Sequence, residues 1–298
     1  PKKIYSFKII DRENYLVQLE GNKAKSIEKN LSSHDLFSFD VESNQFRSNF
    51  EAIFGEYEEK IESHTISLLK KLEENNYDIK EELFSLFVLK LLNTFRNPYC
   101  IKKTLNTIGN AGLHTPLDKE LAKEFEKVEN GNKPQKKWLS KQLGVSEKEY
   151  VHWLKTLFIM LMRPSENEPN VLENIVRSLY EKDSHKINVV VFSYDEQLNA
   201  KSVLLSDLGF SLAVPEEQFL AYEFNLCSKA FITYAFTDID TSSPEGTPQN
   251  VIDSYKQSEN SVSVQHRKNN LDALTRYNKN VVYQSFERVY CSCNHVFG

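Results

Sequence analysis

Glycine is scarce in this 298-residue chain, with nine residues in all, and there are only nine prolines, four cysteines and two methionines. So few glycines leave little material for loops whose backbone amides cradle phosphate. Neither the glycine spacing of a P-loop nor that of a dinucleotide-binding turn occurs, so no nucleotide cofactor is expected. The His-Glu-x-x-His and Gly-x-Ser-x-Gly sequences of metalloproteases and serine hydrolases are also missing. Four cysteines do not make a disulfide scaffold in so long a chain, and a reducing cytoplasm is the expected setting. The richest apolar stretch, Thr156 to Met162, is far shorter than the roughly 20 residues needed to cross a bilayer, so no membrane partner is expected. There is no cationic-then-apolar leader, and a chain opening at Pro1 without methionine leaves room for a preceding segment.

What is present is the composition of a soluble globular protein, with 40% hydrophobic residues and a mean hydropathy of −0.50. A net charge of −5 gives no global attraction to phosphate backbones, so nucleic acid could be held only by local basic patches. Two such patches exist. One is Lys133, Lys136, Lys137 and Lys141 around Trp138, and the other is Arg267 and Lys268 with Arg276 and Lys279. Both also read as ordinary solvated faces.

The stretch from Phe46 to Pro98 organises the chain. Phe50, Phe54, Tyr57, Ile61, Thr65, Leu68 and Leu72 recur at three- and four-residue steps, the signature of an amphipathic helix. Glu58 falls on that face, which places its carboxylate at or beside the core. A second helix, Lys80 to Phe95, is apolar nearly all round and is expected at the centre of the fold. Arg96-Asn97-Pro98 stops it and leaves a cation at the negative end of the helix dipole, where Glu58 could neutralise it.

Ahead of these helices, residues 3–10 and 15–19 read as two strands around the turn residues Asp11 to Asn14. Residues 26–31 read as a helical turn and 34–39 as a short strand. Beyond Pro98 the pattern stays helical over 118–128, 136–143, from the cap Ser146 to a stop near Arg163-Pro164, and over 171–180, with Ser146 and Glu149 spaced as a capping box. From Lys186 the period changes. Strands are expected at 187–194, 202–205, 210–214 and 229–237 in a mostly antiparallel sheet, then helices at 249–257 and 261–276 and a last strand at 280–285. The expected class is α+β, with an N-terminal hairpin region (1–45), a helical region (46–183) and a β-rich region with two helices (184–298) forming one compact unit.

Few residues in this pattern point to chemistry. Cys291-Ser292-Cys293-Asn294-His295 has donor atoms for zinc but no distant second pair. The seven histidines show no paired ligand spacing, and His64 and His152 read as core or boundary residues. Asp207 ends the strand Leu204-Leu205-Ser206-Asp207 just before Gly209. A carboxylate there could be reactive, or could open the turn by bonding to backbone.

Taken together, these residues resemble a family of mostly bacterial proteins catalogued as domain of unknown function 4238. The likeness is carried by the Lys3 to Leu19 hairpin, Glu58 or Glu62, Arg96-Asn97-Pro98, Ser206-Asp207, Phe224 to Ser228, and Asn270 with Val281-Val282-Tyr283. The family's N-terminal His-Tyr-Val-Pro-Gln motif does not occur here, and its Pro-Leu-Ser-Pro strand has lost both prolines. The resemblance implies a fold more than an activity, and it gathers Glu58, Arg96 and Asp207 into one polar cluster.

Two functions follow as expectations. In the first, the protein is a metal-assisted phosphodiester hydrolase, a nuclease-like effector with a defence or toxin role. Glu58 and Asp207 would bind Mg²⁺ or Mn²⁺, and Arg96 would stabilise the developing phosphate charge. In the second it is a non-enzymatic sensor or protein-interaction module whose buried charges only fix the packing.

Overall fold

A computed structural model describes residues 3–26, 38–40, 47–49, 51–133, 136–163, 168–181, 185–198, 201–213, 220–243, 245–257 and 262–296. The class is α+β, with two mostly antiparallel sheets and an N-terminal strand hairpin. Contacts divide the chain into two compact units, one of residues 1–32 with 177–298 and the other of residues 33–176. The first and last parts of the sequence thus share a unit. Among the described residues no helix is long and apolar enough to cross a membrane.

The chain opens with β1 (Lys3–Asp11), β2 (Leu16–Leu19) and β3 (Lys25–Ser26), which belong to the sheet-forming unit. Of the helical turn expected at 26–31, Ser26 belongs to β3 and the rest lies outside the described residues, as does the start of the strand expected at 34–39. The helical unit then begins with the ribbon β4 (Ser38–Asp40) and β5 (Arg47–Asn49). It continues with α1 (Glu51–Glu73), α2 (Lys80–Phe95), α3 (Ile101–Ile108), α4 (Lys119–Asn130), α5 (Lys136–Leu143), α6 (Glu147–Leu161) and the start of α7 (Val171–Glu181).

As its all-round apolarity requires, α2 is the core of this unit, with Leu83, Leu86, Phe87, Val88, Leu89 and Leu92 almost fully buried. Phe54, Tyr57, Leu68 and Leu72 of α1 are also buried. Helix ends leave carbonyls without partners, and here the buried Trp153 indole of α6 donates to Phe95 O at 2.8 Å. The capping box forms as its spacing predicts: Glu149 N donates to Ser146 Oγ (3.1 Å) and Ser146 N donates to Glu149 Oε2 (2.6 Å).

The other unit continues with β6 (His185–Ser193), β7 (Leu205–Ser206), β8 (Ser211–Leu212), β9 (Leu220–Cys227) and β10 (Ala230–Asp238). These are followed by the single turn α8 (Ile239–Ser242), α9 (Gln249–Gln257), β11 (Val262–Lys268), α10 (Leu271–Gln284) and β12 (Arg288–Cys291). One sheet runs β2-β1-β12-β7, with β3 also on β1, and the other runs β11-β6-β10-β9-β8. Helix α10 serves both. Tyr277 stacks on Phe231 with centroids 4.2 Å apart, while Phe7 and Val289 join Leu274 and Val281 in the same buried cluster.

Several expected elements need correction. Residues 261–276 are not one helix. Val262–Lys268 form a strand parallel to β6, Asn269 turns the chain at φ 56°, and Asn270 caps α10. The strand expected at 280–285 is the last part of α10, because Val281 and Val282 are buried against the core and packing overrides their β preference. The terminal strand is β12 instead. Strands expected at 202–205 and 210–214 shorten to β7 and β8, while β9, where the resemblance places a strand at Phe224 to Ser228, has no counterpart among the strands read from the residue pattern.

Candidate functional site

The first pair of nominated residues meets within the helical unit. Arg96, the C-cap of α2, forms an ion pair with Glu58 of α1, and its guanidinium lies 4.9 Å from the centre of the Phe54 ring. The pair is not a buried one. Glu58 is 53% exposed and Arg96 19%, so water screens the carboxylate that the periodicity placed beside the core. The arrangement closes the end of α2 with a cation over an aromatic face.

Asp207 belongs to the other unit, where its carboxylate grips three successive backbone amides of the turn between α10 and β12. Phe286 N donates to Oδ1 at 2.7 Å, and Glu287 N and Arg288 N donate to Oδ2 at 2.6 and 2.8 Å. Burial pushes this carboxyl above its ordinary value, against the pull of the three amides. The opposite side of the same turn is held by Arg12, whose guanidinium donates to the carbonyls of Tyr283, Ser285 and Phe286. Tyr283 lies in the last turn of α10, Ser285 is its C-cap and Phe286 follows it, so the guanidinium closes the end of the helix. Asp207 therefore fills a nest of amides, and Arg12 caps the helix.

A further charged residue escaped the sequence reading. Glu223 of β9 is fully buried and accepts from Arg276 Nη2 at 2.9 Å, with Thr233, Ser211 and Asn280 each at 3.4 Å. Burial raises its pKa although Arg276 and the three polar neighbours oppose it. Its signal was a lone carboxylate in the otherwise apolar run Leu220 to Phe224. The group ties α10 to the sheet, with Arg276 half-exposed and Glu223 fully buried.

The most prominent surface feature of this unit lies where the hairpin meets the end of α10. Ile10, Tyr15, Leu16, Tyr283 and Phe286 are between 41% and 56% exposed. The hairpin and the helix end are tied together: Asp11 pairs with Leu16, Lys279 Nζ sits 5.3 Å over the Tyr15 ring, and Arg12 bonds Tyr283 O. A shallow groove of about 530 Å³ runs between residues 8–13 and 286–288. Single exposed apolar side chains are ordinary on a surface, and here five of them flank one hairpin and the helix end to which it is tied.

The remaining candidates have local partners. Among the described residues no group of three His, Cys, Asp or Glu side chains is placed to hold a metal ion. Cys291 is buried, its thiol pushed up to about 11, and it accepts from Cys293 N at 3.3 Å. His152 Nε2 lies 2.8 Å from Gly109 O, the boundary role its position suggested. In the first basic patch Lys133 is buried and donates to Gly131 O at 2.7 Å, with its pKa pushed down to about 8 by burial, and Lys136 pairs with Glu147 at 3.0 Å. In the second, Arg276 is engaged by Glu223 and Lys279 by Tyr15.

The chain was compared with protein-family models, with curated proteins and with solved structures, and none of them matched.

Proposed function

We propose that this protein is a protein-interaction module, and that its working face is the hairpin β1–β2 with the end of α10. The observation that carries the reading is the exposure of Ile10, Tyr15, Leu16, Tyr283 and Phe286 around one hairpin and the helix end it is tied to, beside a groove. A second line of support is the occupation of the nominated carboxylates. Asp207 gives both oxygens to backbone amides and Glu58 is paired with Arg96, so each has a structural task in its own unit. The likeness to the family of domain of unknown function 4238, carried by Arg96-Asn97-Pro98 and Ser206-Asp207, is part of this proposal, as is a cytoplasmic setting.

The competing hydrolase is tested directly. The full chain is incubated with Mg²⁺ or Mn²⁺ and with single-stranded DNA, duplex DNA and RNA, beside Glu58→Gln. The expected result is no metal-dependent cleavage and no rise in melting temperature with metal. Cleavage that needs metal and is lost in Glu58→Gln, while that variant stays folded, would overturn the interaction reading.

A further inference from the structure

We infer that the partner on this face is a second copy of the chain, added edge to edge through β2. The inference rests on the interaction reading above and names its occupant.

Strand β2 is outermost in its sheet, and among the described residues it pairs with β1 alone. Its alternate N–H and C=O groups therefore point away from the sheet. Strands that remain at an edge are usually guarded by lysine, proline or an inward charge. Leu16-Val17-Gln18-Leu19 carries none of these, and Leu16 is 55% exposed. Pairing here would continue the sheet through main-chain hydrogen bonds and cover Leu16 and Tyr15, with Ile10 and Phe286 at the margin.

The charges around the strand select the occupant. Lys8, Arg12, Lys279 and Arg288 are interspersed with Asp11, Glu13 and Glu287. A polyanion or a strongly basic peptide would meet repulsion as often as attraction, whereas a surface of both signs suits its own copy. A twofold axis at Gln18 sets the strand antiparallel to itself, so that Gln18 lies opposite Gln18 and Leu16 of one copy opposite Glu20 of the other. The acidic turn at Asp11 and Glu13 then comes level with Lys23 and Lys25 of the second copy. Such an interface is isologous and closes at two.

Sedimentation equilibrium on the full chain tests this, with Leu16→Lys as the variant and Ile66→Lys as the control. Both positions are more than half exposed, so circular dichroism should show both variants folded. The expected result is a dimer for the wild type and Ile66→Lys, with dissociation at least about tenfold stronger for Leu16→Lys. Gln18→Cys, close to the twofold, should then oxidise to a covalent dimer. A wild-type chain that is monomeric at every concentration overturns self-pairing but leaves the face open to a different protein. A dimer that Leu16→Lys does not weaken overturns the assignment of the face itself.

Discussion

Asp207 and Arg288 bond each other twice through the main chain and one side chain. Asp207 N donates to Arg288 O at 3.2 Å, and Arg288 N returns to Asp207 Oδ2 at 2.8 Å. With the amides of Phe286 and Glu287 on the same carboxylate, one residue fixes the turn that joins the last helix to the last strand. Asp207→Asn keeps the shape but removes an acceptor and the charge, so a buried amide loses its partner. We expect a loss of about 1–3 kcal/mol, read from urea unfolding. A variant as stable as wild type would show that the turn does not depend on this carboxylate.

The Glu58–Arg96 pair should behave differently. Its carboxylate is more than half exposed, and exposed ion pairs contribute under about 1 kcal/mol. Glu58→Gln is therefore expected to unfold within that margin of wild type, and to be less sensitive to salt. A loss several times larger would mean that the pair is shielded from solvent.

Glu223 gives the stability a dependence on pH. Its pKa is raised by burial, so the folded chain keeps this proton to higher pH than the unfolded chain, whose value is near 4.5. Stability should fall as pH rises above that value and level off beyond the folded pKa. Asp207 is raised as well and acts with the same sign. Denaturation at pH 5 and pH 8 should therefore show a decline in the wild type and a smaller one in Glu223→Gln. An equal decline in both would remove Glu223 as a source.

In the helical unit, the short 3₁₀ turn Gly109–Leu113 packs on α6. A Cβ added to Gly112 would lie 2.5 Å from Thr156 Oγ1 and 2.8 Å from Thr156 N. The second contact is to backbone, so a side-chain rotation cannot relieve it. Gly112→Ala is expected to cost about 1–3 kcal/mol, whereas Gly55→Ala, which meets nothing within 4 Å, should be neutral or stabilising. Comparing the two melting midpoints checks the close approach.

The parts of the fold that were legible in the sequence rest on local chemistry. The apolarity of Lys80–Phe95, the Ser146 and Glu149 spacing and the Pro98 stop each act within a few residues, and each forms as read. The misread stretch, 261–285, depends on distant partners. Val262, Val264 and His266 alternate with Ser263, Gln265 and Arg267, a strand pattern in a segment polar enough to pass for a helix surface. Asn280 to Tyr283 has the composition of a strand, but Val281 and Val282 find their places in the cluster around Tyr277 and Phe231.

The nominated site was legible only in part. That Arg96 would meet Glu58 followed from the helix end and the periodicity, since both residues sit on neighbouring helices. Asp207 was read with two alternatives, and its three amides come from a turn some 80 residues further on, which no local pattern announces. Arg276 is likewise 53 positions from Glu223, so the carboxylate was visible and its partner was not.

The pairing of β1 with β12 also sets a timetable for synthesis. The first strand leaves the ribosome almost a full chain length before Val289 and Tyr290, its register partners, are made. Arg12 waits equally long for the carbonyls it caps. The segment 33–176 is complete well before then and can assemble its own core first. The nascent hairpin must keep the other edge of β1 out of competing pairings until the last residues emerge, so a chain cut short by even the final strand would leave Tyr5 with no strand to meet and Phe7 with β2 alone.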